Sequence, residues 1–414
     1  MQVAVIGGGI IGVSSAYFLA EAGHEVVVIE RHGNVAEQAS FGNGGLIAPG
    51  AVTHWSCARA PRSFIASMFK AAAPLRLRPG LRTERWQWLR RWLAESTLER
   101  FCIHLERMQR VAYYSHHVLQ QVQERHGFSF EQTRGFLQLY GDAQALLQAQ
   151  PLLDLLNEHE RPHQLIDAAA ARLIEPALMP STPLVGALYL PHDEAGNCAL
   201  FTKQLKHEAQ RMGVTFHFNT AVQAIQTDGM HIALDIDERR FHADAVVLAA
   251  GVDSARLLAG LGMRLPLQPV IAYAATATIR NFDAAPLAAL GDTGSKVIIA
   301  RLGDRMRMSA MAEPGAAHMQ MPDMAFGALL QVAGEWFPDA SNYNKAQFWS
   351  ATRNLLPDGA PLIGATPVPH VYVNMAHGAH SWAMAAGSGK IIADLISGRT
   401  PEIDMDGLGL SRVC

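Results

Sequence analysis

Two apolar runs dominate the hydrophobic pattern, one opening the chain and one beyond its middle. In the first, VAVI leads into GGG, then a stretch of small and apolar residues to Ala22, then Gly23 and VVVI. This pattern predicts a strand over Gln2–Ile6, a helix from about Ile10 to Ala22, and a strand over Glu25–Ile29. In the second, DAVVLAAG (Asp244–Gly251) predicts a buried strand ending in small residues. Between them, alternation predicts strands at GFLQLY (Gly135–Tyr140), LVGALYLP up to Pro191, VTFHFN, AVQAI and the HIALDID region. Helical spacing runs from about Asp142 to Glu160, in a short piece ending near Glu175-Pro176, and from Ala199 to Met212. Strands then dominate from Leu267 to Phe348 (LQPVIAYAATATI, KVIIARL, RMRMSAM, NKAQFWSAT), with one helix near Met324–Phe337. Short strands at PLIG and VYVNMA precede a helix from about Met384 to Ser397, closed by Gly398.

The βαβ-type pattern of the N-terminus thus returns after Pro191. That return predicts an α/β fold class in which one Rossmann-like domain is discontinuous and an α+β mixed-sheet domain is inserted into it. The expected division gives 1–50, 190–266 and 350–414 to the first domain, and 51–189 and 267–349 to the second.

The turn after the first strand carries G-x-G-x-x-G as Gly7, Gly9 and Gly12, and the second strand ends in Glu30. Gly7 allows the tight turn, Gly9 leaves room beside a pyrophosphate, and Gly12 lets helix and strand approach. The helix start at Ile10 and Ile11 offers free amides and a positive dipole end to phosphate. Glu30 can accept both hydroxyls of an adenosine ribose, which favours NAD or FAD over a 2′-phosphorylated cofactor. A merely tight βαβ turn is the alternative; the strand before, the helix after and the acid in place favour a dinucleotide.

Composition narrows the class. With 414 residues, 49% of them hydrophobic and 17% charged, the chain is that of a folded protein large enough for two domains. A net charge of −3 gives no overall indication of nucleic-acid binding. Cys57, Cys102, Cys198 and Cys414 form no C-x-x-C pair, which argues against a disulfide framework or a zinc site and fits a reducing cytosol. The apolar N-terminal stretch has no Lys or Arg before Arg31, so it reads as a nucleotide motif rather than a leader. Charge is uneven, however. Residues 59–110 hold twelve basic side chains against four acidic ones, with Trp86, Trp88 and Trp92 among them. Such a segment is either a helical layer with solvated arginines or a peripheral contact with the cytoplasmic face of the inner membrane.

With these pieces in order, the chain resembles the FAD-dependent D-amino-acid oxidase superfamily, and most closely the bacterial D-amino acid dehydrogenases. The matching blocks are VIGGGIIGVSSAYFLAEAGHEVVVIER, ASFGNGGLIAPG, YLPHDEAGNCALFT, VVLAAGVDS, RNLLPDGAPLIGAT and GSGKIIADLISGRTP. The resemblance implies non-covalent FAD and oxidative deamination of a D-amino acid to a 2-oxo acid and ammonia. Hydride would pass from Cα to flavin N5, and electrons onward to a quinone or other acceptor, as in amino-acid catabolism. Gly7, Gly9, Gly12 and Glu30 would hold ADP, with Arg31 beside the ribose. Ser40, Asn43, Gly45 and Leu46 would pass the flavin ring, and the Val222 backbone would meet adenine. Ala249, Ala250 and Gly251 would give a second close approach. Gly378, His380 and the helix start at Ser388, Gly389 and Lys390 would lie near the pyrimidine end of the ring. Arg353 matches the carboxylate-binding arginine, and Tyr273 a tyrosine sharing that carboxylate. His54, His380, Asp193 and Glu194 are further candidates for shaping the pocket or contacting the amine.

The chain departs from these dehydrogenases at Ala51 and His54, where they carry Tyr and Pro, and at Asn354, where they carry Pro. Those positions surround the expected substrate, so a D-imino acid of the proline or hydroxyproline type, or a glycine- or sarcosine-type substrate, stays open. An NAD-dependent dehydrogenase and a flavin-containing subunit that discharges electrons only through partners are the readings from other classes.

Overall fold

The computed structural model describes residues 1–53, 83–227, 231–237, 239–314 and 323–413, without the side chains of 83–85, 311–314 and 323–324. A six-stranded sheet has the order Leu362–Ala365, Val371–Met375, Ala245–Leu248, Gln2–Ile6, Glu25–Ile29, Thr215–His217. All neighbours are parallel except the Leu362–Ala365 edge strand. The central strands read VAVI and VVVI because both faces are covered, as parallel sheets require. Val3, Val5, Val26 and Val28 face helices Ile10–Glu21, Cys198–Arg211 and Ala385–Ile396. Ala4, Ile6, Val27 and Ile29 face a three-stranded antiparallel layer over Val222–Thr227, Ile232–Ile236 and Arg239–Ala243.

A nine-stranded mixed sheet holds most of the remaining strands. Its order begins at the edge with Gln347–Leu355, then Gln268–Thr278, Arg305–Pro314, Val297–Leu302 and Ala289–Asp292. It continues through Thr133–Tyr140 and Gly186–Ala195 to Leu46–Ile47, with Gln164–Asp167 also paired to Gly186–Ala195. The helix Asp323–Trp336 covers one face, where Phe326, Leu329 and Trp336 join Tyr273, Met306 and Met308 in one core.

Most elements fall where the pattern put them, with informative exceptions. The helix expected over 142–160 is two, Ala143–Gln148 and Gln150–Glu158, because Pro151 opens the second and cannot continue the first. The strand expected to stop at Pro191 continues through His192, Asp193 and Glu194 to Ala195. A 29-residue helix, Leu98–His126, packs beside Ala385–Ile396. Within the basic segment, helix Thr83–Ala94 turns Trp88 and Trp92 inward and leaves Trp86 60% exposed. Among the described residues no helix is long and apolar enough to cross a membrane.

Candidate functional site

The first turn forms a cradle because its glycines have no alternative. Gly7 sits at φ +113°, and a Cβ there would stand 2.5 Å from the Ala249 carbonyl oxygen. A Cβ on Gly12 would collide with the Gly7 carbonyl, so helix Ile10–Glu21 approaches its strand only through glycine. Gly9 is different: a Cβ would meet only Ser40 Oγ, at 3.4 Å, so this glycine keeps space open toward the cavity.

That cavity measures about 460 Å³ and runs along the carboxyl ends of the parallel strands. Gly7, Gly9, Ile10, Ile11, Glu30, Arg31, Ser40, Val222, Ala250, Gly251, Arg353 and Gly378 all line it. Glu30 is buried at the end of its strand and accepts from Gly8 N at 2.6 Å and His32 N at 2.8 Å. Arg31 reaches across to the Asp253 carboxylate. Arg256 donates to the Val222 carbonyl at 2.9 Å, fixing that backbone at the cavity wall. Ser40 Oγ accepts from Ile10 N at 3.0 Å, joining the later loop to the helix start.

At the other end the second sheet supplies the wall. Arg353 projects from the edge strand and is buried, with its guanidinium pKa lowered by that burial. Nη1 donates to the carbonyls of Gly378 and Ala379 at 3.1 and 3.2 Å, and Nη2 to Ala39 at 3.2 Å. Nε has no partner. A guanidinium has five N–H groups, so the adjacent Nε and Nη2 keep one donor each. His377 is 3% exposed, lines the cavity with an unpartnered Nε2, and is pushed by burial down to about 3. His380 is lowered to about 4 by burial, and its Nε2–H donates to the Thr53 carbonyl at 2.8 Å. Both rings are neutral at pH 7.

Several expected residues lie elsewhere. Tyr273 pairs with Ser350 whereas Arg353 pairs with Val270, in one continuous register. The odd offset sends the two side chains to opposite faces of the sheet. Tyr273 instead packs edge-on against Phe326, with ring centroids 5.5 Å apart, so it does not converge with Arg353. Ser388 and Gly389 are buried inside helix Ala385–Ile396, where Gly389 gives close contact with the backbone of Ser14 and Ser15. They serve helix packing rather than the cavity wall. Gly12 likewise packs behind the cavity, not along it. Asn43, Gly45 and Leu46 follow Ser40 along the second sheet, where Leu46 pairs with Ala195. Asp193 anchors Gly50 N at 3.1 Å, its carboxyl raised by burial, and Glu194 bonds His116 and Gln132. His54 lies outside the described residues.

Sequence reasoning missed Asp253, Asn374 and His377, which line the cavity, and Arg307, which holds the loop that follows Ser40. Arg307 alternates with Met306 and Met308 like any half-solvated strand cation, so periodicity could not single it out. His377 stood beside His380 with nothing local to separate them.

The glycine cradle, a buried acid at the strand end and unpartnered polar atoms on Asn374 and His377 fit a long dinucleotide. The family described as DAO, FAD dependent oxidoreductase, matches residues 2–395. The chain belongs to this family. FAD is therefore its cofactor, its activity is an oxidoreductase's, and the nicotinamide alternative is set aside. Among curated relatives, a D-amino acid dehydrogenase of Neisseria meningitidis is 37% identical, over 100% of this chain and 99% of that protein. Among solved structures, glycine oxidase from Geobacillus kaustophilus superposes with a TM-score of 0.77 at 21% identity, covering 100% and 99% of the two chains. L-proline dehydrogenase from P. horikoshii gives 0.74 at 18% identity, covering 96% and 94%. These structures share the fold of this FAD-dependent oxidoreductase.

Proposed function

We propose that the protein oxidises a small D-amino acid to a 2-oxo acid and ammonia, using tightly but non-covalently held FAD. The observation that carries this reading is Arg353, a buried cation whose Nε and Nη2 donors remain available at the cavity. Two adjacent donors match a carboxylate and fix its orientation as well as its charge. Bound FAD supplies the two-electron acceptor. The chain supplies position: Gly7, Gly9, Glu30 and Ser40 hold the cofactor's nucleotide half, and Arg353 holds the substrate. His377 and His380 are held neutral by burial and are weak bases, so in this reading the substrate binds with its amine already neutral and no side chain has to take its proton. The imino acid then hydrolyses in water, and electrons leave to a quinone or another acceptor, directly or through a partner subunit. The division proposed is 1–50, 190–266 and 350–414 against 51–189 and 267–349; of the second sheet, strand Leu46–Ile47 lies inside the first part, and strands Gly186–Ala195 and Gln347–Leu355 cross the borders.

A dye-reduction screen of D-amino acids, D-imino acids, glycine and sarcosine identifies the substrate. On the best one, Arg353→Met should raise KM about a hundredfold, the loss of roughly 3 kcal/mol from one charge-assisted pair. An unchanged KM removes Arg353 from the carboxylate site.

We also propose peripheral contact with an anionic membrane surface through helix Thr83–Ala94. Trp86 is 60% and Leu93 46% exposed, beside the exposed Arg90 and Arg91. Vesicles with phosphatidylglycerol should retain the protein at low salt, and Trp86→Ser with Arg90→Glu should release it. Equal binding of the double variant ends this reading.

A further inference from the structure

The loop from Ala39 to Gly44 is tied to the second sheet by every other carbonyl. Arg353 Nη2 takes the Ala39 carbonyl at 3.2 Å, and Arg307 Nη1 takes those of Phe41 and Asn43 at 2.9 and 3.1 Å. Both arginines project from one face of the sheet, since Arg353 pairs with Val270 and Arg307 with Thr276, an even number of residues along the shared strand. Arg307 is 7% exposed and its Nε donates to Thr276 Oγ1 at 3.0 Å; among the described residues no hydrogen bond or ion pair joins it to a carboxylate. Burial lowers it to about 10, which leaves it charged at neutral pH.

In a planar trans peptide the C=O and the following N–H point in opposite directions. The N–H groups of Ser40, Gly42 and Gly44 therefore turn away from the two guanidiniums. None of the three has an acceptor among the described residues, and Ser40 and Gly42 are buried. Asn43 Nδ2 is a further buried donor without a partner. Buried donors are seldom left unpaired, so a row of them fits an occupant rich in acceptors. Ser40 lines the cavity, and Gly42 and Gly44 follow it in the same loop.

We propose that Arg307 is a positioning residue that, by holding the Phe41 and Asn43 carbonyls, keeps the Gly42 and Gly44 amides turned toward the electron-rich edge of the cofactor's ring. This rests on reading the cavity as the FAD site. Such donors favour the reduced ring, which carries more negative charge, over the oxidised one.

Two measurements test it. In the wild-type protein, FAD should slow amide exchange at Gly42 and Gly44, whereas ADP should not. With Arg307→Met, FAD affinity should fall about tenfold with ADP affinity unchanged, the loss of one or two well-placed hydrogen bonds. If that loss falls on the reduced form alone, the two-electron potential drops by about 30 mV. Arg307→Lys, which keeps the charge but not the fork, should lie between. The inference is overturned if FAD leaves those two amides exchanging as ADP does, or if Arg307→Met keeps both the FAD-to-ADP affinity ratio and the potential. Should the variant not fold, the exchange experiment alone decides. A wild-type protein that binds ADP but not FAD defeats the FAD reading itself.

Discussion

The two ends of the cavity are built by different means. The nucleotide end is built mainly on one contiguous stretch, Gln2–Arg31, with Val222 and Ala249–Asp253 completing the wall, and it offers backbone amides and missing side chains. The ring end has no contiguous source. It gathers Ala39, the end of the strand Gln347–Leu355, and Asn374–Gly378, and it presents buried polar side chains. The first end is a problem of local conformation, solved by glycine. The second is a problem of convergence, solved by the register of a sheet.

Substitution of two of the cradle glycines, Gly12 and Gly9, should separate these descriptions most strongly. Gly12→Ala places a methyl against the Gly7 carbonyl, so it should cost about 1–3 kcal/mol of stability as well as flavin binding. Gly9→Ala meets only Ser40 Oγ at 3.4 Å, so the protein should fold normally. It should nevertheless purify with little or no flavin, because the methyl occupies space meant for pyrophosphate. The checks are thermal melting and the flavin absorbance of purified protein. A yellow Gly9→Ala variant with wild-type affinity would move the pyrophosphate elsewhere and break the contrast.

This contrast also explains what was legible in the sequence. Gly7, Gly9, Gly12 and Glu30 could be placed because strand, turn and helix follow within one short span, where propensity and period determine geometry. The α/β class and the interruption of the nucleotide-binding sheet were readable for the same reason, from apolar runs that parallel strands require. Arg353 was found only through resemblance, since an arginine near a strand end carries no local signature. Tyr273 shows the limit of that route. Its position matched, but whether it meets Arg353 depends on strand register, and the register Tyr273↔Ser350 sends it into the opposite core. Arg307 was invisible because its role consists of two loop carbonyls more than 260 residues away in sequence.

The smallest expected effect concerns the histidines at the ring end. His377 and His380 are held neutral by burial, with folded values of about 3 and about 4. In the unfolded chain each takes up a proton as pH falls through about 6.5, while the folded protein does not. Stability should therefore be fully present above pH ~6.5 and decline as pH falls from there toward the folded values, by at most about 1.4 kcal/mol per pH unit for each ring. His380→Gln should flatten that decline in urea titrations at pH 5 relative to pH 8. It should leave the shape of the kcat/KM profile between pH 6.5 and 9 unchanged, because neither ring ionises there and the amine of the substrate does. A wild-type limb near pH 6.5 that disappears in His380→Gln would make His380 a base. The ring end would then use proton transfer in addition to position, and the contrast with the glycine end would become chemical as well as geometric.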